Sequence, residues 1–298
     1  RAAAEWIDRN FAHQDFFLHV DCFTPHEPFD APEELVRLFD PKGKGVEGLG
    51  AAAPYAPWRG RLTEEQFTNF RARYAARVVL LDRWLGVLLD ALDRRRLWDR
   101  TMVVLTADHG TFNGDHGRMG KLQTHEFDAV GHIPLVVACP GVAGGQRRQQ
   151  LVQLVDLYPT VLEAVGRPCP PGRAGVSLLP ALADPGARTR DHAILGQFGA
   201  SVSITDGRWT LHQSPVDGNG PLYWYGHCLA KFLRYDLGPY VDGRREVRNC
   251  RSWPTETWLS DNHSDPAELV NLAAERPEKV KELQKALKAK IIELGAPR

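Results

Sequence analysis

Thr101-Met-Val-Val-Leu-Thr-Ala-Asp-His-Gly110, continued by Gly114-Asp-His-Gly-Arg-Met-Gly-Lys121, is the most informative segment of the chain. Its first part is β-branched and apolar, which predicts a buried strand. The run ends in Asp108 and His109, two metal-ligating side chains, and then Gly110. In an open α/β sheet, ligands collect beyond the carboxyl ends of the strands. An acid and an imidazole delivered there make a candidate site. Carboxylate oxygens suit hard divalent cations, and imidazole widens the choice to Mn²⁺ or Zn²⁺. Lys121, twelve residues after His109, carries a cation on a flexible stem that can reach an anionic substrate. By itself the Asp-His pair reads equally as a capping Asp and a surface His at a strand-to-loop junction.

Upstream, Asp15-Phe-Phe-Leu-His-Val-Asp-Cys-Phe23 is a nearly continuous apolar run, again predicting a buried strand. It leads into Thr24-Pro-His-Glu-Pro-Phe29, where two prolines stiffen the loop around His26. The alternative is an ordinary turn histidine. Residues 40–60, rich in Gly, Ala and Pro, read as a surface loop and a candidate substrate-side lid. Thr63-Glu-Glu-Gln66 is a capping box that opens a long helix. Phe67, Phe70, Tyr74, Val78, Leu81, Leu85, Leu88 and Leu92 follow at spacings of three or four, the stripe of a helix packed on a sheet. Arg94, Arg95 and Arg96 suit its negative dipole end. Strand, loop, helix and strand in that order predict the βαβ unit of a parallel sheet.

Downstream, Ile133-Pro-Leu-Val-Val-Ala-Cys139 predicts a further buried strand. A helix follows from about Gln149 to Val165, kinked or divided at Pro159. Residues 166–190 are a Pro/Gly-rich connector and the candidate domain boundary. Beyond it, 193–197, 201–205 and 208–212 read as short strands, the last two joined by an Asp206-Gly207 hairpin turn. Residues 213–262 are aromatic and irregular, and aromatics at 223–225 and 253–258 fit packing better than a substrate mouth. A helix from about Pro277 to Leu294 closes the chain. At the other end Arg1 to Phe11 reads as the end of an amphipathic helix, so the sequence reads as starting inside a protein, and an absent targeting signal says nothing of location.

Composition narrows the function classes. At 298 residues, 43% hydrophobic and 25% charged, the chain has the makings of a large globular core. Lys+Arg and Asp+Glu are both 37, so no global charge points to nucleic acid or a membrane surface. Cys22, Cys139, Cys169, Cys228 and Cys250 are widely spaced without a CxxC pair, which argues against a disulfide scaffold or a structural zinc site. No apolar run approaches the ~20 residues of a membrane span.

Together these residues resemble the sulfatase family of the alkaline phosphatase-like superfamily. Phe16-Phe-Leu-His-Val ending in Pro25-His-Glu-Pro28 is similar to the family's strand and Pro-His-x-Pro turn. Asp82 and Gly86 resemble its Asp-x-x-x-Gly. Thr106-Ala-Asp-His-Gly110, Gly114-Asp-His-Gly117 and Gly120-Lys121 resemble its metal and lysine segment, with Glu126 and Pro134 downstream. Asp265-Pro-Ala-Glu-Leu-Val-Asn-Leu272 resembles its Asp-Pro-x-Glu-x-x-Asn-Leu. Each motif is weak alone; all occur in order.

The resemblance implies a three-layer α/β/α sandwich of alkaline phosphatase-like type with a small C-terminal antiparallel sheet plus helix. Residues 1–190 would be the C-terminal part of the catalytic α/β domain, and 191–298 a small α+β subdomain. It implies a sulfuric ester hydrolase acting on a small-molecule or carbohydrate sulfate ester. Asp108 and His109 would hold a divalent metal, with Ca²⁺ first and Mn²⁺, Mg²⁺ or Zn²⁺ as alternatives. His109 stands where many relatives have Asn. Lys121 and His26 would bind the sulfate ester oxygens and act in catalysis. Asp115, His116, Arg118, His125 and His132 lie close by in sequence, with loop solvation the expected role for most.

The departures are equally informative. The family's nucleophile is a Cys or Ser of a Cys/Ser-x-Pro-x-Arg motif, oxidised to formylglycine in an N-terminal segment that this chain does not match. Cys169-Pro-Pro-Gly-Arg173 fits the bare pattern but sits in the connector, before a Gly175-Val-Ser-Leu-Leu-Pro180 run that resembles a later family stretch. It is rejected as the nucleophile on that context. The chain alone is therefore expected to bind metal weakly and to be inactive. A phosphodiesterase or phosphonate monoester hydrolase of the same superfamily, and a non-catalytic metal-binding remnant, remain as alternatives.

Overall fold

The chain begins with α1 (Ala2–Asn10) and α2 (Glu33–Val36), then β1 (Ala56–Pro57) and α3 (Glu64–Arg95). The central stretch forms β2 (Val103–Thr106), β3 (Phe112–Asn113) and β4 (Arg118–Gly120), followed by α4 (Asp128–Gly131) and β5 (Leu135–Ala138). Next come α5 (Leu157–Ala164) and α6 (Leu179–Ala183). The remainder is β6 (Ala193–Gly196), β7 (Val202–Thr205), β8 (Trp209–Gln213), β9 (Leu222–Tyr225), β10 (Asp236–Val241), β11 (Arg244–Arg248), β12 (Trp258–Asp261) and α7 (Pro277–Glu293). These assignments come from a computed structural model that describes residues 1–13, 15–43, 55–121, 124–196, 199–215, 222–225, 236–242, 244–248 and 256–295. The chain divides into two units, Arg1–Lys121 with Ile133–Thr189, and Leu122–His132 with Arg190–Arg298.

In the first unit, α3 is the wall against which the loops are built. Both halves of its capping box form: Thr63 Oγ1 accepts from the Gln66 amide at 3.2 Å, and the Thr63 amide donates to Gln66 Oε1 at 3.0 Å. Two orphan amides of the first turn are thus satisfied. Arg96 ends the helix in a left-handed conformation, φ 52°. Three successive sections of α3 enter three apolar clusters. Phe67 and Phe70 pack with Phe29, Trp58 and Met119. Ala72 and Ala76 pack with Ala31, Leu35 and Val36. Ala91 and Leu92 pack with Ala4 and Ile7 of α1 and with Leu97. Small alanines let α2 approach closely, and the stacked Trp58 and Phe67 rings, 4.1 Å between centroids, add aromatic contact. The middle of the expected stripe behaves differently: Val78 is exposed, and Leu81 and Leu85 are only half-buried.

Several sequence expectations are corrected here. Residues 16–23 do not form a strand, and Phe17 is 75% exposed. An apolar run becomes a buried strand only when a neighbour completes its ladder and layers cover its faces; among the described residues it has no such ladder. β2 pairs with β5 in antiparallel register, Val103 opposite Ala138 and Thr106 opposite Leu135, rather than in a parallel βαβ unit. One face of that ladder is open: the directly opposed Leu105 and Val136 are both exposed, Val136 at 59%. The helix expected over 149–165 is α5 alone, preceded by a 3₁₀ turn at Leu154–Asp156. Pro159 falls in the first turn of α5, where its missing N–H costs nothing. Buried Asp156 fixes this corner, its carboxylate accepting from the Gln153 and Val176 amides at 2.7 and 2.9 Å.

The second unit follows the sequence more closely. β12, β8, β7 and β6 form one antiparallel sheet in that order. The Asp206-Gly207 turn closes the β7–β8 hairpin, with Asp206 Oδ1 accepting from the Arg208 and Trp209 amides. α7 covers the sheet: Leu283 and Leu287 join Ile204, Leu211 and Leu259 in one core. Each buried leucine of that set contributes roughly 1.5–3 kcal/mol. β10, β11 and β9 form a separate three-stranded antiparallel sheet. Residues 253–255 of the 253–258 aromatic stretch lie outside the described residues.

Candidate active site

The first unit brings three of the four expected site residues together around one nitrogen. Lys121 Nζ lies 3.0 Å from His26 Nε2 and 3.1 Å from His109 Nε2. Each imidazole has its other nitrogen against a carbonyl: His26 Nδ1 is 2.7 Å from the Glu27 oxygen, and His109 Nδ1 is 2.8 Å from the Gly110 oxygen. A carbonyl only accepts, so both Nδ1 atoms carry the proton. Both Nε2 lone pairs then face the ammonium group. The fourth residue, Asp108, is beside His109: its Oδ1 accepts from the His109 amide at 2.9 Å, and its Oδ2 lies 3.3 Å from His109 Nε2.

The local sequence explains the positions. His26 sits on a loop fastened at both ends by Arg77 of α3, which donates to Thr24 Oγ1 at 2.9 Å and to the Asp30 carbonyl at 3.0 Å. Phe29 is buried against Phe70, 5.2 Å between ring centroids. Phe23 covers the His26 ring at 4.3 Å. His109 follows β2, whose last residue, Thr106, donates to the Pro134 carbonyl at 2.9 Å. Lys121 follows β4, the middle strand of the β1–β4–β3 sheet.

Two glycines shape this hairpin. Gly114, φ 111°, has the Phe67 ring where a Cβ would stand, 2.4 Å away. Gly120, φ 83°, has the Tyr55 ring at 2.0 Å from that position. The glycines of the Gly-Asp-His-Gly and Gly-Lys motifs are therefore required by backbone conformation and by close approach together.

The other nearby candidates take structural places. Asp115 Oδ2 accepts from the Asn113 amide at 2.9 Å, and His116 meets Phe112 edge-on at 6.1 Å. Arg118 lies in β4, opposite Pro57. In the second unit His125 is buried with Nε2 2.8 Å from the Glu256 carbonyl. His132 is paired with Asp128 at 3.3 Å, and that hydrogen bond raises its pKa above the usual imidazole value. Glu126 is also raised, by burial. Cys22, Cys139 and Cys169 are free thiols, and Cys169 makes only a local contact to the Pro170 carbonyl at 3.6 Å.

Two residues missed in the sequence stand directly behind His26. The Glu27 side chain is only 15% exposed, with Oε2 3.4 Å from His26 Nδ1. The Tyr55 hydroxyl donates to Glu27 Oε1. Burial, reinforced by that carboxylate, raises the Tyr55 pKa well above the usual phenol value, which keeps it a donor. Glu27 was in view as the variable residue of Pro-His-x-Pro; nothing local pointed to Tyr55.

An acid and an imidazole at a strand end, with a lysine and a second imidazole converging from loops, make a candidate anion site on an α/β scaffold. The Sulfatase family profile matches residues 1–167, more than half the chain, and the chain belongs to the sulfatase family. It is 30% identical over 313 residues to arylsulfatase K of Xenopus laevis, covering 96% of this chain and 54% of that protein. A putative sulfatase of Bacteroides fragilis, yidJ, superposes with TM-score 0.71 at 22% identity, covering 99% of this chain and 58% of that one. BT4656, solved in complex with its substrate D-glucosamine-2-N,6-O-disulfate, gives 0.58 at 22% identity over 78% of this chain and 43% of that one. The fold is thus the α/β fold of alkaline phosphatase-like type. The chain spans about half the length of the Xenopus relative.

Sulfatases generally use a divalent metal. Asp108 and His109 fit one in part. Two donors bound to one cation at ~2.0–2.6 Å stand about 3 Å apart in adjacent positions, close to the 3.3 Å between Asp108 Oδ2 and His109 Nε2. The Asp108 side chain is 84% exposed, so its carboxylate is accessible. Among the described residues no three His, Cys, Asp or Glu side chains cluster as a metal site. Two donors are only part of a coordination shell, and further ligands have to come from elsewhere.

Proposed function

We propose that this chain supplies the anion-binding half of a sulfuric ester hydrolase. The convergence of His26 and His109 on Lys121 Nζ carries the reading. The Lys121 ammonium binds sulfuryl oxygens and stabilises the charge that grows on them in the transition state. His26, with its Nδ1 proton held by the Glu27 carbonyl, takes a proton at Nε2 from the Lys121 ammonium beside it and passes it to the leaving oxygen. Asp108 and His109 hold the cation, which supplies Lewis-acid polarisation when bound.

We assign the cation as Ca²⁺, with Mn²⁺, Mg²⁺ and Zn²⁺ as alternatives separated by titration. The nucleophile is assigned to a formylglycine outside these residues, because Cys169 has no described contact with the site. The substrate class is a small-molecule or carbohydrate sulfate ester, supported by the disulfated aminosugar bound to BT4656. Residues 1–190 are assigned to the catalytic α/β domain and 191–298 to a small α+β subdomain.

The test is to express the complete reading frame containing these residues and assay an aryl sulfate, a sulfated aminosugar and a phosphonate monoester. Sulfate ester turnover that falls about 10²–10³-fold in Lys121→Ala is expected. Phosphonate turnover without sulfate ester turnover would replace the reading. Turnover by the purified 298-residue chain alone would overturn the assignment of the nucleophile.

A further inference from the structure

Behind the anion-binding pair lies a second layer of contacts that ties its two loops together. Glu27 follows His26, and its carboxylate has a partner on each side: the Tyr55 hydroxyl at Oε1, and His26 Nδ1 3.4 Å from Oε2. The same Tyr55 lays its ring over Gly120, the residue before Lys121, so closely that a Cβ there would stand 2.0 Å from the ring. One side chain therefore touches the element that carries His26 and the element that carries Lys121. The 3.0 Å separation of His26 Nε2 and Lys121 Nζ depends on both. Tyr55 is 44% exposed, so little packing fixes its ring besides these contacts. Its phenol is kept protonated by burial and by the carboxylate, which preserves the donor that the clamp needs.

We propose that Tyr55 and Glu27 are positioning residues that hold His26 as the Nδ1–H tautomer with Nε2 directed at Lys121. The inference deepens the sulfate-ester reading and rests on it for its functional meaning. Its geometric content is independent. The Glu27 carbonyl, 2.7 Å from His26 Nδ1, and the Glu27 carboxylate, 3.4 Å away, are two acceptors on the same side of the ring; together they favour the orientation in which Nε2 meets the ammonium. Tyr55 in turn restricts the carboxylate. The contacts of both residues run to His26 and to the Gly120-Lys121 element, so both act through His26 and Lys121.

The experiment is imidazole ¹⁵N spectroscopy of the 298-residue chain, paired with calorimetric titration by inorganic sulfate. In the parent chain, His26 is expected as a single Nδ1–H tautomer. Tyr55→Phe keeps the ring over Gly120 and removes only the hydroxyl; it is expected to give a mixture of tautomers and to weaken sulfate binding about tenfold. Glu27→Ala is expected to do the same, whereas Glu27→Gln, which retains an oxygen acceptor for Tyr55, restores the single tautomer. A structural role alone would lower the melting temperature without this pattern of loss and rescue. An unchanged His26 spectrum in both Tyr55→Phe and Glu27→Ala overturns the proposal. If the tautomer responds as expected but the parent chain does not bind sulfate, the clamp stands and the anion-binding reading fails.

Discussion

Each unit contains an imidazole between a hydrogen-bond donor and an acceptor, and the two arrangements serve opposite ends. In the first unit His26 and His109 flank Lys121 on loops, and Asp108 beside them is open to solvent. In the second unit His212 Nε2 lies 3.0 Å from Glu268 Oε1, and its Nδ1 lies 2.6 Å from Ser203 Oγ. That Ser-His-Glu order has the connectivity of a nucleophile relay, yet all three side chains are fully buried. No substrate reaches Ser203. Hydrogen-bond connectivity alone therefore does not mark a reactive site; solvent access is needed as well. The buried set works as a fastener: Glu268 Oε2 also accepts from the Asp128 amide at 2.6 Å, and His212 stacks on His125 at 5.1 Å. These contacts hold segment 122–132 to β8 and to the Asp-Pro-x-Glu loop.

Glu268 gives the largest test of that contrast. It keeps a left-handed backbone, φ 54°, a conformation that costs a non-glycine residue about 1 kcal/mol. Its carboxylate bonds offset that cost. Glu268→Ala leaves a buried imidazole and a buried amide without their acceptor, so a loss of about 3–5 kcal/mol in unfolding free energy is expected. Urea denaturation of the chain measures it. A loss under about 1 kcal/mol, within the range of an exposed pair, would break the distinction between fastener and site.

Gly114→Ala is expected to cost about 1–3 kcal/mol, because it forces φ 111° on a side-chain-bearing residue and drives a methyl into the Phe67 ring. The same denaturation curve reads it. A neutral outcome would mean that the hairpin bearing Lys121 adapts freely, and that its glycines follow from something other than close packing.

The third effect is smaller and depends on pH. Asp261 accepts both arms of Arg208, at 3.1 and 2.8 Å, and that pairing holds its carboxyl down at about 2. A carboxyl whose folded value is depressed stabilises the protein above its ordinary range near 4, and this contribution disappears as pH falls through about 2. Unfolding free energy measured from pH 5 down to pH 2 should therefore fall in the parent chain. Arg208→Ala should be less stable at pH 5 and should lose less on acidification. Parallel pH curves would show that this pair contributes nothing particular to the second unit.

What could be read from sequence follows the same division between local and distant causes. The α3 capping box, the Asp206-Gly207 hairpin and α7 were legible because their signals lie within a few residues of one another. His26, Asp108, His109 and Lys121 could be singled out as candidates because each sits at an abrupt end of an apolar or glycine-marked run, and the structure places them side by side. Burial of 16–23 and the parallel pairing of β2 were misread, since an apolar pattern does not name the neighbour that covers it. Tyr55 was invisible because its role comes from contacts 28 residues away at Glu27 and far along the chain at Gly120. Glu268 was seen only as a member of a motif; its partner His212, 56 residues earlier, carried no sign that it would be sealed from solvent.

Lys121→Ala should have the smallest effect on stability and decides the comparison most directly. Its ammonium meets two imidazole nitrogens at 3.0 and 3.1 Å, and both histidines retain their carbonyl partners without it. These contacts are part-buried and both imidazoles keep their carbonyl partners, so a loss of at most about 1 kcal/mol is expected. Anion binding should respond in the opposite sense: inorganic sulfate binding to the chain should be lost, and Lys121→Arg should recover only part of it, because a planar fork does not reproduce a compact ammonium between two ring nitrogens. The buried set predicts the reverse pairing, with Glu268→Ala unfolding the chain in milder denaturant. If Lys121→Ala instead costs as much stability as Glu268→Ala and leaves sulfate binding intact, the Lys121 cluster is a fastener too, and the site lies elsewhere.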